Sequence, residues 1–385
     1  MVRTPQGSDM KLTIIIDQIA NDLGGTEGQI VKLLKGLSIH HEIDLIVFQR
    51  SDWLVQATAW LPCRVHIIEL GGVTKPTFYR GLWKLWRLLK QRQPDVVHTF
   101  FPIANVVGVL MARLAGVKGV LASRRDYGYW ITPGYLKATR FANRFVDSIV
   151  ANSPQVRAFT ERIEGVPADR LEVIYNGVDL EALHRDGPNL TLKDKLGIPR
   201  HHRVIALVAN YRPIKRHDTL LHATRALIDK HPDICLLFVG ANNAAAPCMD
   251  EVLALAQSLG LQDRVHRGHA KGDIADYLSI MHIGCNCSES EGLSNAVIEY
   301  MAAGVPAIVS NGGGNPDLVL DGIDGLVFPV GDHQALAEKL DLLLSNEEIR
   351  KQYALAGQNK VRREMALPVM LDRFERHYKS AAGLR

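Results

Sequence analysis

The sequence predicts an α/β protein of two doubly wound parallel-sheet domains facing a cleft, and three observations carry that expectation. The chain has 385 residues, too many for one ordinary hydrophobic core and a common size for two. Short β-branched runs alternate with amphipathic helical patterns, as happens when parallel strands are joined by crossover helices. The alternation breaks once, over a polar, irregular stretch from about Asn176 to Asp194, and then restarts.

In chain order, Met10–Asp17 (MKLTIIID) reads as the first strand. Gly24-Gly25 then turns the chain into a helix with an apolar face of Ile30, Val31, Leu33, Leu34 and Leu37. Strands are expected at Ile43–Phe48, Arg64–Glu69, Asp95–Thr99, Gly119–Ser123 and Ser148–Ala151, with helices at Tyr79–Gln91 and Asn105–Ala115. Beyond the break, strands are expected at Val204–Val208, Ile234–Val239, Val265–Arg267, Ile283–Cys287 and Ala307–Ser310. Helices Asp250–Leu259, Ile274–Ile280 and Ser294–Ala303 separate them, and Asp332–Leu344 leads into a charged helical tail. The expected domains are residues 10–180 and 197–360, with the tail 361–385 returning to the first. Open parallel sheets bind ligands at their strand carboxyl edges, so the cleft between two such Rossmann-like domains is the expected active site.

Composition removes several function classes. With 47% hydrophobic and 22% charged residues the chain belongs with folded globular proteins, not disordered ones. No run of about 18 apolar residues is present, so no membrane-spanning helix is expected. The opening MVRTPQGSDM lacks signal-peptide architecture, which points to the cytoplasm. Five cysteines without paired spacing read as reduced thiols. Cys285 and Cys287 would share one face of a strand and have no second Cys/His pair to complete a metal site. The net charge is +4, with 22 Lys+Arg against 16 Asp+Glu through Leu180 and a slight acidic excess beyond; that basic excess is too dilute for a nucleic-acid partner and comes without a stacked-aromatic or helix-turn-helix signature. No aspartate pair flanks a single residue at a strand end, so neither a metal nor another cofactor is expected.

The richest segment is Ser288-Glu-Ser-Glu-Gly-Leu-Ser-Asn-Ala-Val-Ile-Glu-Tyr-Met-Ala-Ala-Gly-Val-Pro306, which follows a strand and opens a helix. Ser294 or Asn295 caps that helix, and Gly304 with Pro306 ends it. Backbone N–H groups over Gly292, Leu293, Ser294 and Asn295 form an anion site strengthened by the helix dipole, and a diphosphate fits there. Glu291 stands just before the helix and Glu299 more than a turn inside it. One carboxylate is placed to meet a sugar near the phosphates and the other to accept hydrogen bonds from ribose hydroxyls. Either glutamate alone would read as a surface carboxylate; the seven-residue spacing between them makes the pair informative.

That run resembles the E-x7-E segment of glycosyltransferase family 4, retaining enzymes of the GT-B fold. Gly24-Gly25-Thr26-Glu27, Asp95-Val-Val-His98, Ala151-Asn-Ser153, Val173-Ile-Tyr-Asn-Gly-Val-Asp179 and Asn210-Tyr-Arg-Pro-Ile-Lys215 stand where the family has similar signatures. The resemblance implies transfer of a sugar from a nucleotide-diphosphate sugar to an acceptor by front-face displacement with retention. It places Arg212 and Lys215 on the donor diphosphate, Glu291 and Glu299 on the donor, Gly24 and Gly25 on the acceptor side, and His98 at the same edge. The pattern departs from the commoner G-R-L-x-x-x-K-G: aligned on Lys215, the family's arginine position holds Asn210, and Arg216 replaces the final glycine. Where many members carry a histidine, this chain reads Ser123-Arg-Arg-Asp126, so Arg124 or Arg125 is expected on an anionic acceptor or the phosphates, the alternative being a surface ion pair. Gly312-Gly-Gly314-Asn-Pro-Asp317 resembles the family's G-G-x-x-E loop, with Asp for Glu.

Tyr79-Arg-Gly-Leu-Trp-Lys-Leu-Trp-Arg-Leu-Leu-Lys90 is apolar on one side and basic on the other. It reads either as a packed helix with a solvated basic face or as a peripheral membrane contact, the latter because family acceptors are often lipid-linked. The competing functions are a nucleotide-sugar epimerase or phosphorylase on the same fold, and a non-catalytic sugar-binding protein.

Overall fold

The computed structural model describes residues 10–22, 25–128, 131–242, 248–269 and 273–384. They form two compact units: the residues through Gly177 together with Pro368 onward, and Val178–Leu367.

The first unit carries seven strands, β1 (Lys11–Gln18), β2 (Glu42–Gln49), β3 (Arg64–Ile67), β4 (Val96–Phe100), β5 (Gly119–Arg124), β6 (Ser148–Ala151) and β7 (Leu171–Val173). They lie in the order β3-β2-β1-β4-β5-β6-β7, and every pairing is parallel. Central strands of such a sheet are covered on both faces, which is why β1 is an unbroken Leu-Thr-Ile-Ile-Ile run with no alternation. Ile15, Phe48, Leu85, Leu89, Val97 and Val109 meet in the core on one face. The helix Leu367–Ala381 belongs to this unit from Pro368 on. It buries Met370, Phe374 and Tyr378, and its end lies so close to β5 that a Cβ on Gly119 would come within 3.0 Å of the Ala381 carbonyl oxygen.

The second unit has six strands, β8 (Arg203–Val208), β9 (Ile234–Val239), β10 (Val265–Gly268), β11 (Ile283–Asn286), β12 (Ala307–Ser310) and β13 (Leu326–Phe328). Their order is β10-β9-β8-β11-β12-β13, again wholly parallel. Its core gathers Leu207, Leu236, Phe238, Phe328, Leu336 and Leu340. The irregular stretch around Asn176 is ordered: Val178 N donates to Met365 O at 2.9 Å, and Arg185 pairs with Asp273 and Asp276.

Two strands differ from the sequence reading. Leu171–Val173 and Leu326–Phe328 are edge strands of three residues each, too short to show any period. Asn105–Ala115 is also not one regular helix: it opens as a π-turn, Ala104–Gly108, before the α-helix Val109–Leu114. No helix among the described residues is long and apolar enough to cross a membrane. All five cysteines are buried free thiols, and burial pushes Cys285 and Cys287 well above the ordinary thiol range.

Candidate functional site

In the second unit, three loops converge at the carboxyl edges of β8, β11 and β12. The first turns through Pro213–Lys215, and the Lys215 ammonium is ion-paired with Glu291 Oε1 on the second. Glu291 Oε1 also accepts from Ser288 Oγ at 2.9 Å and Asn286 Nδ2 at 3.5 Å. Both partners of the Lys215–Glu291 pair are mostly shielded, at 18% and 16% side-chain exposure. The pair is therefore less screened than a surface salt bridge. The loops are joined at the backbone too, since Glu289 N donates to Ile214 O at 2.9 Å.

The third loop supplies glycines because no side chain fits. Gly313 has φ +59°, and a Cβ there would sit 2.3 Å from Glu291 O; Gly314 N donates to the same oxygen at 2.7 Å. Beneath them lies a buried polar web. Asn286 Nδ2 donates to Ser294 Oγ at 2.9 Å, Ser310 Oγ to Ser288 O at 2.5 Å, and Asn315 Nδ2 to Asn286 Oδ1 at 3.3 Å. Such a web fixes one loop geometry, because each lost partner would strand a buried polar group.

Ser294 caps the helix Asn295–Ala302, its Oγ accepting from Val297 N. Gly292, Leu293, Ser294 and Asn295 thus form the turn into that helix, whose first amides have no intrahelical acceptor. Glu299 is half-buried within it. Next to it, the Tyr300 hydroxyl accepts from Val208 N at 2.7 Å and its ring fills the space a Cβ on Gly284 would need. The helix is thereby locked to β8 and β11.

Arg212 is exposed, and among the described residues its guanidinium has no ion-pair partner. It lines a cavity of about 380 Å³ with Arg216, His217, Glu251 and Glu289. Asn210 spends its side-chain oxygen on Ala241 N at 3.0 Å. Arg216 sits at φ 51°, ψ 51°, a left-handed conformation costing a non-glycine residue roughly 1–2 kcal/mol. Its guanidinium forks to Asp218 and, at 2.9 Å, to Glu289.

In the first unit the structure corrects two expectations. His98 is not at an open edge: it lies inside β4, buried, with Nδ1 bonded to the Tyr378 hydroxyl at 2.8 Å and Nε2 to Ser123 Oγ at 2.9 Å. Burial, reinforced by His377 and Arg125, holds its pKa far below the usual value, so it is a neutral structural imidazole with neither nitrogen available. Arg124 is likewise committed inward. Its Nε and Nη2 grip the Glu164 carboxylate at 2.7 and 2.8 Å, and Nη2 also reaches Asn143 Oδ1 at 3.0 Å. It is a buried ion pair, not a surface one, and not a ligand contact. Arg125 differs: it bonds Asn176 Oδ1 through Nη2, while its Nε is buried without a partner. Desolvation brings its pKa down to about 10, still cationic at neutral pH.

Gly24 lies outside the described residues. Gly25 begins the helix Gly25–Leu37, and the approach to it is tight: a Cβ on Gly28 would lie 2.6 Å from Asp22 O. Glu27 accepts from Ala20 N at 3.0 Å, and burial raises its pKa. Gln29 clasps the Asn176-Gly177 turn, donating to Gly177 O at 3.1 Å and accepting from Gly177 N at 2.8 Å.

Asp17 is a residue the sequence reading passed over, although a lone carboxylate closing an apolar strand is itself a signal. It accepts from Ile103 N at 2.9 Å and Ala104 N at 2.6 Å. Burial outweighs those two amides and raises its pKa to about 6. A carboxyl raised in the folded state stabilises fully below its unfolded pKa and loses that contribution as pH rises through the folded one. The unfolding free energy of wild type relative to Asp17→Ser should therefore fall by about 3 kcal/mol between pH 3 and 7. Urea titrations at both ends of that range check it.

The whole chain is similar in fold to Anabaena Alr3699/HepE in complex with UDP, with a TM-score of 0.85 at 19% identity over 96% of this chain and all of that one. A glycosyltransferase from Rickettsia africae gives 0.86 at 22% identity, over 98% of this chain and 99% of that one. Two parallel sheets of this topology give the protein the GT-B fold. The Glycosyltransferase Family 4 model matches residues 23–182 and the Glycosyl transferases group 1 model residues 189–360, and the chain belongs to this family. Among its relatives are N-acetyl-alpha-D-glucosaminyl L-malate synthase of Bacillus anthracis, 23% identical over 77% of each chain. Another is the UDP-Gal:alpha-D-GlcNAc-diphosphoundecaprenol alpha-1,3-galactosyltransferase of Escherichia coli, 27% identical over 66% of this chain and 67% of that one.

Proposed function

We propose that the protein moves a sugar from a uridine diphosphate sugar onto a lipid-linked acceptor with retention of anomeric configuration. The observation that carries this reading is the Lys215 ammonium poised against Glu291 beside the start of the Ser294-capped helix. That is a cation and a set of backbone amides at one edge, suited to a diphosphate whose negative charge grows as the glycosidic bond breaks. The UDP bound to the Anabaena protein of the same fold supports the choice of nucleotide.

In this account Lys215 leaves Glu291 for the diphosphate when donor binds, with Arg212 reaching the phosphates from the same loop. Glu291, released, accepts hydrogen bonds from sugar hydroxyls, and Glu299 accepts them from the ribose. The departing phosphate takes the acceptor proton as the acceptor oxygen attacks from the face the phosphate leaves. Gly25 keeps the acceptor side open to close approach, and Arg125, with Nε unpartnered, meets an anionic group on the acceptor.

A lipid acceptor is supported by the E. coli relative, whose name specifies a diphosphoundecaprenol substrate, and by the helix Pro76–Arg92. That helix buries only Gly81, Leu85 and Leu89 and leaves Tyr79 at 63% and Trp83 at 53% exposure among Arg80, Lys84 and Arg87. A basic face with exposed aromatics suits an anionic bilayer surface. Flotation with phosphatidylglycerol vesicles should carry the protein upward, and Trp83→Ser/Trp86→Ser should reduce that fraction severalfold; equal flotation of both would remove the membrane part. The reaction itself is tested by incubating the protein with UDP-sugars and an undecaprenyl diphosphate-sugar acceptor and reading the new linkage by NMR. An α linkage from an α donor is expected, and an inverted product would contradict retention.

A further inference from the structure

We infer that Arg216, standing where the family pattern has glycine, is a positioning residue that neutralises Glu289 and so keeps Lys215 available for the donor diphosphate. The inference rests on the proposed donor site. Three carboxylates, Asp218, Glu289 and Glu291, stand around a loop meant to receive a dianion, with two cations among them: Arg216 faces Asp218 and Glu289, and Lys215 faces Glu291. Only one of those cations is a suitable phosphate ligand. Lys215 carries a single mobile ammonium, whereas Arg216 is fixed by three bonds to the Asp218 carboxylate, at 3.0, 3.3 and 2.9 Å, and a fourth to Glu289 at 2.9 Å.

The backbone supports the assignment. Arg216 is one of three non-glycine residues at positive φ among the described residues, and glycine would sit there without strain. An arginine held in that conformation, with its guanidinium engaged on the neighbouring loop, points to a role for the side chain. Next to it Glu289 N donates to Ile214 O, so the ion pair and the backbone bond together tie the two loops. Without Arg216, Asp218 and Glu289 both lose their cation on the loop that carries Lys215, and the added negative charge opposes a phosphate arriving at the ammonium.

The test is a calorimetric titration of UDP into wild type, Arg216→Gly, Arg216→Lys, Glu289→Gln and the Arg216→Gly/Glu289→Gln double variant, with thermal melts of each. Arg216→Gly should melt within a few degrees of wild type, its backbone being relieved, and should bind UDP about tenfold more weakly. Arg216→Lys should recover part of that loss. The double variant should bind UDP severalfold more tightly than Arg216→Gly, because it removes the charge of one of the two carboxylates that Arg216 neutralises. A purely structural arginine would not be rescued by a second substitution. Affinity of Arg216→Gly within twofold of wild type, or a double variant no better than Arg216→Gly, overturns the inference while leaving the donor site intact. Wild type that fails to bind UDP overturns the donor site itself, and this inference with it.

Discussion

Lys215→Ala is expected to lower sugar transfer by about a hundred- to a thousand-fold, the range seen when one preorganised donor to a developing oxyanion is removed. Its melting temperature should stay close to that of wild type. Lys215 lies on a short 3-10 turn and is mostly shielded, but what it neutralises, Glu291, keeps its bond to Ser288 Oγ when the lysine is gone. The loss should therefore appear in kcat more than in folding. Lys215→Arg retains the charge with a rigid fork in place of a compact ammonium, and should keep intermediate activity. Initial rates with saturating UDP-sugar check both; an alanine variant within threefold of wild type would mean the diphosphate charge is met elsewhere.

The second large effect is on stability. Glu164→Ala should destabilise the first unit by about 3–5 kcal/mol, because it leaves the Arg124 guanidinium buried and unmatched. Arg124 and Glu164 are each under a tenth exposed, and Asn143 completes the cluster by donating to Glu164 Oε2 at 2.8 Å. Burial pushes the Glu164 carboxyl up, but Arg124 with Asn143 more than reverses it, leaving the pKa below the usual glutamate range. A carboxyl depressed in the folded state stabilises above its unfolded pKa and loses that contribution as pH falls through the folded one. Acid should therefore weaken this unit in wild type below about pH 4, and much less in Arg124→Met/Glu164→Leu, which replaces the pair with apolar volume. Urea unfolding followed by the first unit's tryptophans, all five of which precede the break, reads both effects.

Most of the architecture was legible because central parallel strands are apolar throughout and their crossover helices are amphipathic. The strands from Met10–Asp17 to Ala307–Ser310 lie within a residue or two of where their patterns put them. The two three-residue edge strands carried no period to read, and the π-turn at Ala104–Gly108 opens on amides held by Asp17, far back in the chain, which accepts from Ile103 N and Ala104 N. Around the candidate site, the glutamate spacing and the strand-to-helix segment point to Glu291 and the helix start, while Lys215 comes from the family resemblance. It did not reveal Asn286, Ser310 and Asn315, which act only through contacts between loops. His98 and Arg124 were misassigned for one reason: a polar residue near a strand's end looks available in sequence, and only the fold shows Tyr378, 280 positions on, taking one imidazole nitrogen, or Glu164 taking the guanidinium.

The central claim is a UDP-sugar donor site in the second unit, built on Glu291, Lys215 and the helix carrying Glu299. It is tested most directly by thermal shift with UDP, GDP, TDP and ADP on wild type and Glu299→Ala, because a ligand that binds only the native state must stabilise it. UDP should raise the wild-type midpoint by several degrees at 100 times its Kd, and Glu299→Ala should lose most of that shift with its own unliganded midpoint little changed. No shift with any of the four nucleotides, or an equal shift in the variant, would contradict the account.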